Sequence, residues 1–272
     1  MEDPLDCALD LLRRLPPSKM QHNLSKLVQI SPDLSEDLLS SVDHQLSSLT
    51  CELTGKPFLI CDYNRDGESP WSGEFQPKTD GVKPSPALAQ LEQAANDAFD
   101  TYRELYFGGG LSSVYLWDLD EGFAGAILIQ KSTISIDIEN TEGTNTGSWD
   151  SIHVVQVTPA KKSAVYKITS TVILQLITPP TADAPEIDLG GSLTRQAEME
   201  YPLDNPMSHV HNMGRLVEDM EIKMRSSIQE IYFGKTKDIL NDLRSLTDLK
   251  TVRNQASLHA QMIGRLQERN KN

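Results

Sequence analysis

Val114-Tyr115-Leu116-Trp117, then Asp118-Leu119-Asp120-Glu121-Gly122, then Ala124-Gly125-Ala126-Ile127-Leu128-Ile129: this stretch decides the fold. Two runs of aromatic and aliphatic residues flank an acidic turn that ends in glycine, which is the pattern of an antiparallel hairpin. Further strands are expected near Trp149–Thr158, Ala164–Thr178 and Ile187–Arg195, with Thr141–Gly147 and Asp183–Pro185 as loops. Five consecutive strands with short connections predict an antiparallel meander over 111–196. Such a sheet leaves edges that must be covered or paired.

On the N-terminal side of the sheet, residues 86–107 carry Leu88, Leu91, Ala95, Ala98, Phe99, Tyr102 and Leu105 at helical spacing, and Gly108-Gly109-Gly110 ends the helix. Residues 51–85 hold four prolines and four glycines and read as an irregular segment. Residues 1–50 read as three short helices. Leu5, Ala8, Leu9, Leu12 and Leu15 line the first, which Pro16-Pro17 terminates. Leu24, Leu27 and Val28 line the second. Ser31 offers an N-cap oxygen with Pro32 behind it, and Leu38, Leu39, Val42, Leu46 and Leu49 line the third. Tight proline turns between amphipathic helices suggest a small antiparallel bundle.

On the C-terminal side, the longest helical pattern spans 206–246. Val210, Met213, Val217, Met220, Met224, Ile228 and Ile231 form a stripe wide enough to lie across a sheet face. The segment 247–272 differs again. After Leu249, Lys250, Arg253, Arg265, Arg269 and Lys271 stand against Glu268, a charge of +4 that leaves −18 for the rest of a chain whose net charge is −14. At ~100° per residue, Leu258, Met262, Ile263 and Leu266 share a sector about 140° wide. A basic amphipathic helix at a chain end is a binding element. Gly264 inside it costs ~1 kcal/mol relative to alanine. The fold class is α+β.

The charge argues against a nucleic-acid partner, which requires a basic surface. Apolar residues make up 38% of the 272 residues, which is polar enough that part of the chain does not bury a face of its own. Cys7, Cys51 and Cys61 form no CxxC pair and read as reduced thiols of a cytosolic protein. The acidic N-terminus lacks a signal-peptide profile, and no apolar run reaches the ~20 residues that span a bilayer.

No motif asks for catalysis. Asp62-Tyr63-Asn64-Arg65-Asp66-Gly67 starts like an EF-hand loop, but its twelfth position is Gly73 instead of a bidentate acid. Gly234-Lys235-Thr236 ends like a P-loop, yet Gln229 stands where the upstream glycine belongs. His209 and His211 at a helix start diverge too far to share a metal and read as solvated capping residues. No metal or cofactor is expected.

Several blocks are similar to the F-actin capping protein beta subunit family: Cys61–Asp66, Ser113–Asp118, Leu189–Arg195, Gly214–Met220 and Glu230–Lys237. The resemblance implies one half of an alpha/beta heterodimer. Each half would have a three-helix stalk, five strands of one continuous antiparallel sheet, a long helix over that sheet and a C-terminal tentacle. It implies a cytoplasmic protein of the cortical actin cytoskeleton that binds filament barbed ends without calcium and without severing. The tail is then expected to dock Leu258, Met262, Ile263 and Leu266 into an actin cleft. Arg253, Arg265 and Arg269 would steer it, and Lys223 and Arg225 would add contacts at its base. Phosphoinositide and protein regulators are part of that family picture. The competing reading is a membrane-surface or cytoskeletal adaptor. Four net charges supply ~4 kcal/mol at most on an anionic surface, and the apolar stripe lacks Trp and Phe.

Overall fold

The computed structural model describes residues 3–61, 67–73, 83–136, 144–178, 180, 187–234 and 237. Its centre is a five-stranded sheet of β3 (Leu111–Asp118), β4 (Phe123–Ile136), β5 (Thr144–Pro159), β6 (Ser163–Thr178) and β7 (Ile187–Pro202). The strands lie in sequence order, every neighbouring pair antiparallel, as short turns require. The strands outrun their expected ends. Thr144–Gly147, expected as loop, belongs to β5 because its backbone pairs with Thr133–Ile136 of β4, with Thr144 opposite Ile136. Ladder hydrogen bonds hold this polar stretch, so no apolar alternation announced it.

At the N-terminus come α1 (Pro4–Arg13), α2 (Met20–Ile30) and α3 (Ser35–Ser41), joined by 3-10 turns at Pro17–Lys19 and Pro32–Leu34. Asp3 caps α1 by accepting from the Leu5 N–H at 3.0 Å. Leu12, Met20, Leu24, Leu38 and Val42 form a core of their own, flanked by Leu5, Ala8, Leu9, Leu27 and Val28. Two expectations fail here. The Ser31 side chain makes no cap hydrogen bond. The third helix stops at Ser41, with Val42 already extended, instead of running to Leu49. Leu39 and Leu49 are 59% and 49% exposed, so they do not share the buried face.

The chain leaves the helix because the sheet claims it. From Asp43 it crosses beneath the strands, and polar side chains from each strand hold it. Ser192 of β7 donates to the Asp43 carboxylate (2.9 Å), and Gln45 donates to Gln175 of β6 (2.8 Å). The Leu46 N–H donates to Asp150 of β5 (2.9 Å), and Gln130 of β4 donates to the Leu46 carbonyl (2.8 Å). The strap then forms a small hairpin of β1 (Ser48–Thr50) and β2 (Pro57–Leu59). There the Leu59 N–H donates to Ser113 of β3 at 2.9 Å. Leu59 and Cys61 pack with Tyr115, Trp117, Ala124, Ala126 and Leu128. Asp150 is 1% exposed, and burial pushes its carboxyl pKa up against the lowering effect of the Leu46 and Gln130 bonds.

Two longer helices follow in the fold, α4 (Pro86–Tyr106) and α5 (Ser208–Gln229). Leu88, Leu91, Ala95 and Phe99 are the buried apolar stripe of α4, while Leu105 is exposed. On α5 the buried stripe is Met213, Leu216, Val217, Met220, Met224 and Ile228. A π turn follows at Glu230–Gly234, where Ile231 is 44% exposed and leaves the expected stripe. The chain divides into two compact units, Met1–Met224 and Arg225–Asn272. Among the described residues no helix is long and apolar enough to cross a membrane.

Candidate functional site: sheet edges and the long helix

The two edges of the sheet are unlike. On β3, Asn96 of α4 behaves as a substitute strand. Its Oδ1 accepts from the Val114 N–H, and its Nδ2 donates to the Val114 carbonyl, both at 2.8 Å. Glu92, one turn earlier, accepts from the Leu116 N–H at 2.6 Å. Both side chains are 1% exposed. An amide and a carboxylate thus occupy backbone groups that an added strand would need. At the other end, β7 has 16 residues, and among the described residues no strand pairs with its outer side. A long unpaired strand is a template for another chain.

The N-terminal helices brace this open strand. A Cβ on Gly190 would lie 2.4 Å from Pro17 Cδ and 2.8 Å from the Leu174 carbonyl oxygen. Glycine is therefore what lets the Pro17 turn rest against β7. Lys19 pairs with Asp188 (3.7 Å), and Arg13 with Asp43 (3.4 Å), the carboxylate that also holds Ser192.

Of the expected contact residues, Arg253, Leu258, Met262, Ile263, Arg265, Leu266 and Arg269 lie outside the described residues. Lys223 and Arg225 are both exposed on α5, on either side of buried Met224. Most of the calcium-loop stretch, Asp62–Asp66, also lies outside. Among the described residues no cluster of His, Cys, Asp and Glu is arranged to hold a metal.

The histidine reading needs correcting. His209 is half-buried and shares a 2.8 Å hydrogen bond with the Tyr166 hydroxyl, while Asn212 donates to the same oxygen at 3.0 Å. Burial lowers the His209 pKa, which favours the neutral ring. His211 is exposed, as expected.

A second buried cluster escaped sequence reasoning. His153 of β5 shares hydrogen bonds with Ser170 of β6 through Nδ1 (2.8 Å) and with Glu221 of α5 through Nε2 (3.0 Å). The order Ser-His-Glu has the look of a hydrolase relay. Yet Ser170 and His153 are 0% exposed and Glu221 is 3% exposed, so no substrate carbonyl reaches the hydroxyl. The three positions lie 17 and 68 residues apart, with no local motif to find them.

This combination of antiparallel meander and helices is similar in fold to a solved actin capping protein subunit. The homodimeric actin capping protein alpha subunit from Plasmodium berghei matches with a TM-score of 0.53 at 15% identity, covering 89% of this chain and 96% of that one. The chain belongs to the F-actin capping protein, beta subunit family, whose model matches residues 5–240. The F-actin-capping protein subunit beta of Aspergillus oryzae is 51% identical over 95% of this chain and 96% of its own length. That of Emericella nidulans is also 51% identical, over 96% and 97%, and that of Neurospora crassa 44% over 98% of each.

Proposed function

We propose that this chain is the beta subunit of a heterodimeric capping protein. It pairs obligately with an alpha subunit, binds actin filament barbed ends, and blocks subunit addition and loss. It acts by binding, not by turnover, independently of calcium and without severing, at the cortical cytoskeleton. The observation that carries the pairing is the contrast between the edges: β3 is closed by Asn96 and Glu92, whereas among the described residues no strand pairs with the outer side of β7. A partner strand on β7 would continue the sheet and cover Met199, which is 47% exposed. The N-terminal helices would then form the stalk at that seam.

The segment 247–272 serves as the tentacle. Burying Leu258, Met262, Ile263 and Leu266 in an apolar cleft is worth roughly 6–12 kcal/mol gross, at ~1.5–3 kcal/mol each. Ordering a chain end removes on the order of 2–5 kcal/mol. A second contact through the partner would raise avidity by effective concentration. Arg253, Arg265 and Arg269 steer, with Lys223 and Arg225 contributing from α5. Phosphoinositide and protein regulators would act on this basic end.

The test is pyrene-actin elongation from barbed ends with the coexpressed heterodimer, full length against a truncation at Leu249. The truncation is expected to abolish high-affinity capping while the heterodimer stays intact. Retained capping would contradict the tail assignment. The beta chain expressed alone is expected to be insoluble, and a stable monomer would count against the open-edge reading.

A further inference from the structure

The interface between α5 and the sheet is chiefly apolar and rich in methionine. Met213, Val217, Met220 and Met224 are each 0–2% exposed. Dispersion and burial are non-directional, and methionine adapts to irregular gaps. Such a surface holds a helix down without setting how far along its axis it sits. Directional bonds do that, and α5 has polar anchors at two heights. Near its N-terminus, His209 and Asn212 meet the Tyr166 hydroxyl. Two to three turns on, Glu221 reaches through the methionine layer to His153. His153 is held from the other side by Ser170, so a single ring ties α5 to both β5 and β6. With Nε2–H donating to Glu221, Nδ1 accepts from the Ser170 hydroxyl. One tautomer satisfies both bonds.

We infer that His153, Ser170 and Glu221 are positioning residues that fix the axial register of α5, so that Lys223, exposed two residues beyond Glu221, meets the filament end in one place. The inference rests on the proposed barbed-end function for its purpose, but its geometry does not. Replacing a buried polar network with apolar side chains is often neutral or stabilising, so a loss of register without a loss of stability marks positioning. That separates a positioning role from a merely structural one.

The test uses the coexpressed full-length heterodimer carrying His153→Leu and Glu221→Leu together with Ser170→Ala, which removes the buried hydroxyl that loss of the ring would leave unpaired. Its melting temperature is expected to equal or exceed that of the unmodified protein, while filament-end affinity falls roughly threefold to tenfold. Glu221→Gln, which keeps an acceptor toward His153, is expected to cap normally. Lys223→Ala is expected to weaken capping in the unmodified background and much less in the triple-variant background, because coupled groups are non-additive. Spin labels at positions 223 and 156 in a Cys7→Ser background read the register directly. Their distance distribution is expected to be narrow with the polar trio and broad without it.

Unchanged capping or an unchanged label distance in the triple variant overturns the inference. So does a lower melting temperature or loss of soluble heterodimer, which makes the trio a stability element only. If the unmodified heterodimer fails to cap, the functional reading falls, and the label distances still decide the register.

Discussion

Asn96→Ala offers the sharpest check on how the β3 edge is closed. The side chain supplies both partners of Val114, whose residue is fully buried, at 2.8 Å each. Removing it leaves one N–H and one carbonyl away from water. At ~1–3 kcal/mol for each unsatisfied buried group, the loss is ~2–6 kcal/mol. For domains of 150–250 residues, ~2–4 °C accompanies each kcal/mol, so melting should fall on the order of 10 °C. The measurement is a thermal melt of the heterodimer beside the unmodified protein at one concentration, because subunit association shifts apparent stability. Gln93→Ala, one residue-triplet away on the same helix, is the control. Glu92→Leu combined with Asn96→Ala should be non-additive, since both serve one strand edge. A loss no larger than the control's would refute the account, because the edge would then be satisfied in some other way.

Other expectations are simpler. Asp150→Asn keeps an acceptor for Leu46 and removes a carboxyl whose pKa burial has raised. A raised acid binds its proton more readily in the folded state, so its contribution to stability falls as pH climbs from the ordinary ~3.9 toward the folded value. The Asn variant should therefore gain on the unmodified protein as pH rises through that window and lose the gain below it, in denaturant titrations at stepped pH. Gly190→Ala drives a Cβ into Pro17 and the Leu174 carbonyl and should destabilise by ~1–3 kcal/mol, read by thermal melting. Gly214→Ala meets nothing within 4 Å and faces a groove of about 610 Å³ between α4 and α5. In a helix interior it should stabilise by ~1 kcal/mol in the same melt. A loss there would mean that something covers the groove in the heterodimer.

The five strands, their order of appearance and the helices α1, α2, α4 and α5 were legible in the sequence. Each carries a period of two or of three to four, and the turns hold glycine, proline or acidic residues. The end of α3 was not legible. Val42, Leu46 and Leu49 keep helical spacing, and it is bonds to distant strands, among them those from Leu46 to Asp150 and Gln130, 104 and 84 residues away, that draw the chain out straight. Thr144–Gly147 was misread for a related reason, since its pairing with β4 leaves no mark on local hydropathy.

What the sequence by itself determined is whatever neighbours along the chain decide: periodicity, turn chemistry, the charge split between tail and body, and the family blocks. Tertiary structure alone decided which polar residues are buried. Ser113, Asp150, His153, Ser170 and Glu221 look like ordinary solvated positions until the sheet is assembled. It also decided which edge is shut and which, among the described residues, no strand pairs with. A hydrogen bond's partner depends on distance in space, and a linear pattern carries no record of what folds against it.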